Sequence, residues 1–257
     1  MKPPLVFAHR GASSEAPENT KAAFLKALEQ GTDGLEFDVQ LSKDNKVVIF
    51  HDENLERITS LQGFIKDYYA DELKQIDIGS WFHKKFSNER ILLLDELLSY
   101  ISRHRLPLII ELKNAFLPYP ELEKKVIHLV ENYQLQDHVI LSSFVPNSLR
   151  ECKKWGPDIE TAMLYFPMFR TPFQLAKEVG ASQIHAPWKY VNEGFMEQAQ
   201  SHGLKVCPYT IDRRETILKM VRLGVDSFIT NKPGKTKKLI QHQFSSVCRG
   251  SKQPKTE

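Results

Sequence analysis

The 257-residue chain holds only three cysteines, Cys152, Cys207 and Cys248, far apart and without a Cys-x-x-Cys spacing. An odd, scattered set supports neither a zinc site nor a disulfide framework, so the thiols are read as free. No apolar run reaches the roughly 18 residues of a membrane-spanning helix, and none is expected. No secretion signal is expected either, since one takes an apolar stretch of about 7–15 residues after a basic start. The opening "MKPPLVFAHRG" offers four apolar residues before a histidine, and a cytoplasmic location is the expectation. Nor does one sign of charge dominate: 35 basic and 32 acidic residues are well mixed and leave a net +3. Without a long basic tract no nucleic-acid partner is expected. What is present, 41% hydrophobic and 26% charged residues, is the composition of an ordinary globular protein with a full-sized core.

Several segments share one rhythm of helix, glycine and short β-rich run: "AFLKALEQGTDGLEFDV", "QLAKEVGASQIHAP", "EQAQSHGLKVCPYT" and "ILKMVRLGVDSFIT". Gly31, Gly180, Gly203 and Gly224 stand where helices should stop, because glycine accepts the left-handed conformation cheaply. Asn19 or Thr20 can cap the first helix, and Asp212 with Glu215 has capping-box spacing before the last full one. Alternating helices and buried strands predict a parallel α/β sheet.

Nine strand candidates can be counted: "LVFA", "LEFDV", "VVIF", "LIIEL", "VILSS", "TAMLY", "QIHA", "KVCPYT" and "DSFIT". Only "QLSKDNK" separates "VVIF" from the strand before it. That is too short for a parallel crossover, which needs a dozen or more residues, but enough for an antiparallel hairpin, and Asp44-Asn45 is turn chemistry. Removing the hairpin leaves eight strands, so the fold predicted is a (β/α)8 TIM barrel. It carries a short hairpin and a small insertion, about residues 53–90, after the second βα strand. The barrel is expected over 1–242 as one domain, followed by a polar, basic and disordered tail over 243–257.

Catalytic groups of such a barrel come from the C-terminal ends of its strands, and the unusual polar residues of this chain sit there. His9 and Arg10 end the first strand, Glu36 and Asp38 the second, Glu111 and Lys113 the third, and His51 closes the hairpin. Alternation puts Glu36 and Asp38 on one face, and Glu111 and Lys113 likewise. Three carboxylates converging on one mouth repel unless a cation lies between them. The natural partner is a hard divalent metal, Mg²⁺ or Ca²⁺, held by oxygen ligands; zinc would recruit His or Cys. Simpler local readings exist: Glu18-Asn19-Thr20 suffices as a helix start, and Glu111-Leu112-Lys113 as a surface pair. The coincidence of charged strand ends after fully apolar runs favours chemistry.

These residues carry a resemblance. "HRG", "PENT", "GLEFDVQLSKDNKVVIFHD", the "R-I-T" after it, "LLLDELL", "IIELK" and "GVDSFITNKP" resemble the glycerophosphodiester phosphodiesterase family, in family order from residue 8 to about 234. The resemblance implies a phospholipase-C-like phosphodiesterase barrel with a small insertion after the second histidine. It implies Glu36, Asp38 and Glu111 as metal ligands, His9 and His51 as acid/base groups, and Arg10 and Lys113 as phosphate-binding cations. One divalent ion is implied, Mg²⁺ or Ca²⁺, with Mn²⁺ a further candidate.

Two positions depart from the family pattern. Tyr209 in "PYTID" replaces the tryptophan of a "W-T-V-N" strand, and Asn231 replaces an aspartate after the last strand's threonine. Both are expected to line the mouth and bear on substrate fit, Tyr209 as a substrate-binding residue. The activity implied is hydrolysis of a small-molecule glycerophosphodiester to sn-glycerol 3-phosphate and an alcohol. A cyclic phosphate is a candidate intermediate, with Arg10 as the phosphate clamp and Gly11 leaving the backbone room for close approach. Two alternatives stand beside it: a lysophospholipase D using "LYFPMFRTPF" as an apolar entrance, and a catalytically inactive binding barrel. The headgroup and the oligomeric state are left open.

Overall fold

Apolar runs and glycine-stopped helices alternate along the chain as the sequence suggests. The computed structural model describes residues 2–250, with side chains through residue 244. Its strands are β1 (Leu5–His9), β2 (Gly34–Leu41), β3 (Val47–Ile49), β4 (Leu92–Leu93) and β5 (Leu108–Leu112). They continue with β6 (Val139–Ser143), β7 (Glu160–Leu164), β8 (Gln183–Pro187), β9 (Lys205–Tyr209) and β10 (Ser227–Thr230). The helices are α1 (Lys21–Glu29), α2 (Ala70–Leu73), α3 (Leu94–Ile101), α4 (Leu122–Asn132) and α5 (Pro146–Trp155). After them come α6 (Pro172–Glu178), α7 (Glu193–Ser201), α8 (Arg214–Leu223) and α9 (Pro233–Gly250).

Parallel pairing runs β10-β1-β2-β5-β6-β7-β8-β9. The seam between β9 and β10 is closed by Asp226 N–H to the Val206 carbonyl at 3.1 Å and Ile211 N–H to the Ile229 carbonyl at 2.9 Å. These strands make the expected (β/α)8 barrel. Gly31, Gly180, Gly203 and Gly224 all take positive φ after their helices. Thr20 caps α1, its hydroxyl accepting from Ala23 N–H at 3.2 Å, whereas the Asn19 side chain turns away towards Asp38. Among the described residues no helix is long and apolar enough to cross a membrane.

The hairpin forms as predicted, β3 lying antiparallel to β2 with Val39 opposite Ile49. A two-residue strand, β4, extends it on the far side and is too short to show in a sequence pattern. The insertion between β3 and β4 has a core of its own. Leu55, Ile58, Ile65, Leu73, Ile76 and Ile78 pack on Val48 and Phe50 of the hairpin. The segment that carries His51 is thereby fastened to a folded cap above the barrel.

Two expectations need correction. Asp212 does not cap α8; Arg213 precedes the helix and no side-chain cap bond is made there, because the Asp212 carboxylate is occupied by Thr230 and Asn231. The chain also stays helical past residue 242, with α9 reaching Gly250. Leu239, Ile240 and Phe244 of this helix pack on the barrel's outer core. Residues 251–257 of the expected tail lie outside the described residues.

Gly11 serves α1. At φ +83°, a Cβ there would stand 2.6 Å from the carbonyl carbon of Ala23, so the room it leaves is filled by the helix. Gly11→Ala should lower the unfolding free energy by roughly 2–4 kcal/mol, combining left-handed strain with overpacking. Urea denaturation reads this directly, and a variant as stable as the parent would show that α1 can simply move aside.

Candidate active site

β2 and its neighbours set the carboxylates. Register places Glu36 beside His9 and Asp38 beside Glu111. One oxygen each of Glu36, Asp38 and Glu111 lies within 4.8 Å of the other two. Burial, then the charges of Asp38 and Glu111, push the Glu36 carboxyl well above its ordinary value. Glu111 is raised as well, by burial and by Asp38. For Asp38 burial works in the same direction, but Arg10, His51, Lys113 and the Asn19 hydrogen bond outweigh it and hold the group below the carboxylate range. The cluster thus contains one firmly ionised member and two that resist ionisation.

Two cations answer it. Arg10 Nε approaches Asp38 Oδ2 at 3.3 Å while its Nη1 donates to Glu18 at 2.8 Å. Lys113 Nζ donates to Glu111 at 2.8 Å and stands 3.9 Å from Asp38. The Glu111–Lys113 contact is a pair, but it lines the pocket and does not lie on the outer surface. Asn19, buried and at φ +56°, donates to Asp38 Oδ2 at 2.9 Å. Its amide takes part in the carboxylate cluster and leaves helix capping to Thr20.

Each histidine is held through Nδ1. The Nδ1 of His51 faces Asp52 Oδ1 at 2.5 Å; a carboxylate only accepts, so this nitrogen carries the hydrogen and Nε2 is left to the pocket. Asp52 in turn takes the Nε–H of Arg57. Burial would raise Asp52, but the His51 and Arg57 bonds bring it down to about 2. Arg57 also grips both oxygens of Glu18, at 2.6 and 3.0 Å. The backbone beneath is fixed by buried Gln40, whose Nε2 donates to the carbonyls of Phe50 and Asp52 at 2.8 and 2.7 Å. Tyr119 donates to the amide oxygen of Gln40 at 2.8 Å.

The Nδ1 of His9 lies 2.7 Å from Asn231 Oδ1, and its Nε2 faces Glu36 at 4.0 Å. Burial, followed by the Arg10 charge, lowers His9 to about 4, so the imidazole is neutral at neutral pH. Asn231 therefore sits beneath His9 and does not line the pocket. Closure of the barrel explains this: Ala8 pairs with Thr230, which brings residue 231 beside residue 9.

His9, Arg10, Glu36, His51, Glu111, Lys113 and Tyr209 line one cavity of about 190 Å³, with Asp38 just beneath. All the residues singled out in the sequence are brought together. Gln40 and His185 are not singled out there; Asn19 is read only as a helix start, and Asp52 and Arg57 are given no role of their own. His185 is fully buried in the pocket wall, its Nδ1 without a partner. "LYFPMFRTPF" divides: Leu164 is buried, while Phe166 is 46% and Met168 79% exposed. Phe144 in the cavity wall meets Phe166 at 6.5 Å between ring centroids, and Phe166 meets Phe169 at 6.2 Å.

An eight-stranded barrel whose mouth gathers acids, cations and two oriented imidazoles around a small polar cavity defines a phosphoric diester hydrolase of the barrel type. Residues 9–235 match the Glycerophosphoryl diester phosphodiesterase family, and the chain belongs to that family. It is 39% identical to a glycerophosphodiester phosphodiesterase of Caldanaerobacter subterraneus over 229 residues, 89% of this chain and 94% of the relative. A second relative of the same name, from Bacillus altitudinis, is 36% identical over 91% of this chain and 97% of its own length. Among solved structures, a phosphodiesterase of Oleispira antarctica in complex with the product sn-glycerol-3-phosphate superimposes with a TM-score of 0.86 at 31% identity. That likeness covers 93% of this chain and 97% of the other.

Arg57 is the link between the two sides of the mouth, and its removal has a readable consequence. Arg57→Ala should free Asp52 and let the His51 ring turn, lowering turnover of a glycerophosphodiester by about tenfold or more. Arg57→Lys, which keeps the charge but loses the fork, should recover only part of it. Unchanged turnover in Arg57→Ala would show that His51 needs no such support.

Proposed function

We propose that the protein hydrolyses glycerophosphodiesters to sn-glycerol 3-phosphate and an alcohol, using His9 and His51 for proton transfer beside a divalent cation held by Glu36, Asp38 and Glu111. The observation that carries the reading is the convergence in one cavity of three carboxylates with two imidazoles whose Nε2 atoms are free. The product found in the Oleispira antarctica relative has the size and charge that this cavity suits.

The donor set fits a hard cation. All three ligands offer oxygen, and the buried Oδ1 of Asp38 has no hydrogen-bond partner. Mg²⁺, Ca²⁺ and Mn²⁺ share that preference. When bound, such an ion polarises the phosphoryl oxygens.

Arg10 and Lys113 attract and orient the phosphate, and Tyr209 closes the pocket against the glycerol. His9, neutral with its lone pair on Nε2, takes the proton of the substrate's 2-hydroxyl as that oxygen attacks phosphorus. His51 enters the step as an imidazolium, with Nδ1–H on Asp52 and a second proton on Nε2. It gives that second proton to the departing alcohol and is left neutral. A tethered neighbouring hydroxyl has a large effective molarity over free water. Water then opens the 1,2-cyclic phosphate with the histidines in exchanged roles.

The exposed Phe166 and Met168, joined to the cavity wall through Phe144, favour a second reading in which the alcohol carries an alkyl chain. A cavity of about 190 Å³ leaves a long chain to lie over this rim.

Turnover of glycerophosphocholine and lysophosphatidylcholine, after chelation and re-addition of Mg²⁺, Mn²⁺ or Ca²⁺, separates these readings. Activity should vanish with chelation and return with metal, and His9→Gln or His51→Gln should each lose about 10²–10⁴-fold in kcat. Metal-independent turnover, or full activity in either histidine variant, would overturn the assignment. A diester of propane-1,3-diol, which lacks the 2-hydroxyl, should react orders of magnitude more slowly; equal rates would remove the cyclic intermediate.

A further inference from the structure

Asp212 lies outside the cavity lining, yet its carboxylate controls a group inside. Its Oδ1 accepts from the Thr230 hydroxyl at 3.0 Å and from Asn231 N–H at 2.9 Å, and its Oδ2 accepts from Asn231 Nδ2 at 2.6 Å. A carboxylate has no hydrogen to give, so the Asn231 amide can present only its NH₂ group to Asp212. The amide oxygen must then face the other way. There it meets His9 Nδ1 at 2.7 Å and the Ser13 hydroxyl at 2.8 Å. That oxygen also only accepts, which puts the imidazole hydrogen on Nδ1 and the lone pair on Nε2, the nitrogen turned towards Glu36.

We propose that Asp212 is a positioning residue that selects the tautomer of His9: it locks the Asn231 amide in one orientation, and the amide keeps His9 Nε2 unprotonated and able to accept a proton. Were the amide turned over, its NH₂ would face Nδ1. That nitrogen would become the acceptor and Nε2 would carry the hydrogen, leaving nothing to receive the substrate's proton. The three groups come from the residue just past β10, the loop after β9 and the end of β1, which meet because the barrel closes between β9 and β10. The inference rests on the reading of His9 as the proton-accepting group.

The decisive variant is Asp212→Asn. Its new amide oxygen can keep the bonds from the Thr230 hydroxyl and the Asn231 N–H, so the fold is retained, but its NH₂ now faces the Asn231 side chain. The Asn231 amide should turn over, and in ¹⁵N–¹H correlation spectra at neutral pH the His9 hydrogen should move from Nδ1 to Nε2. The His9 signals are identified by their loss in His9→Gln. We expect kcat on glycerophosphocholine to fall about tenfold or more with KM within about twofold, the signature of a lost reactive form and not of lost binding.

The double variant Asp212→Asn/Asn231→Asp puts a carboxylate where it accepts from both neighbours. It should restore the Nδ1–H form and return kcat to within about fivefold of the parent. An Nδ1–H tautomer persisting in Asp212→Asn, an unchanged kcat there, or a loss that the double variant does not recover would each overturn the proposal. Full activity in His9→Gln would instead sink the reading of His9, while the spectra still decide the role of Asp212.

Discussion

Mutual repulsion of three carboxylates, Glu36 and Asp38 buried and Glu111 half-buried, governs the mouth of this barrel. Glu36, Asp38 and Glu111 each bring an oxygen within 4.8 Å of the others, where two unit charges repel by roughly 3–4 kcal/mol at an effective dielectric constant of 20. Most of what surrounds them can be understood as a response. Arg10 and Lys113 bring positive charge, and Asn19 gives up helix capping to donate a hydrogen bond to Asp38. Glu36 and Glu111 are pushed towards the protonated form. A cluster left in this state is poised for a cation that would draw off the remaining protons.

The two histidines flanking the cluster are held by different means. His51 rides on the hairpin, outside the barrel wall, and an anchored ionic chain of Asp52, Arg57 and Glu18 carries it back to Arg10. The insertion's separate apolar core keeps that chain in place. His9 stands on a barrel strand, where the wall already fixes its backbone, and a neutral amide suffices to set its ring. Burial beside an amide and an arginine keeps the His9 imidazole neutral, the state a proton acceptor needs.

Much of this was legible in the sequence because the signals are local. Helix-stopping glycines and short apolar runs counted out the barrel, and the seven residues between "LEFDV" and "VVIF" revealed the hairpin. Strand alternation placed Glu36 with Asp38 and Glu111 with Lys113. What stayed hidden depends on closure and on distant partners. Arg57 and Glu18 are far apart in the chain and meet only when the cap folds over the mouth. Asp212 followed by Glu215 reads as a helix start, but its carboxylate had better-placed donors in Thr230 and Asn231, across the seam of the barrel. Asn231 was visible as a departure from the family pattern, yet its place beside His9 follows from the pairing of the first and last strands. At the C-terminus a polar composition concealed the apolar Leu239, Ile240 and Phe244, which pack α9 on the barrel.

The account's central claim, that the carboxylate cluster is under electrostatic strain relieved by a divalent ion, can be tested by stability alone. Glu36 has a folded-state pKa raised above its unfolded value, so the native protein binds the proton more tightly and apo stability falls as pH rises through and above the carboxylate range. In chelator at pH 7, Glu36→Gln should therefore unfold at a higher temperature than the parent. Adding Mg²⁺ or Mn²⁺ should stabilise the parent by linkage, leave Glu36→Gln nearly unmoved, and so reverse their order. A variant less stable than the parent in chelator, or one that gains as much from the metal, would contradict the account.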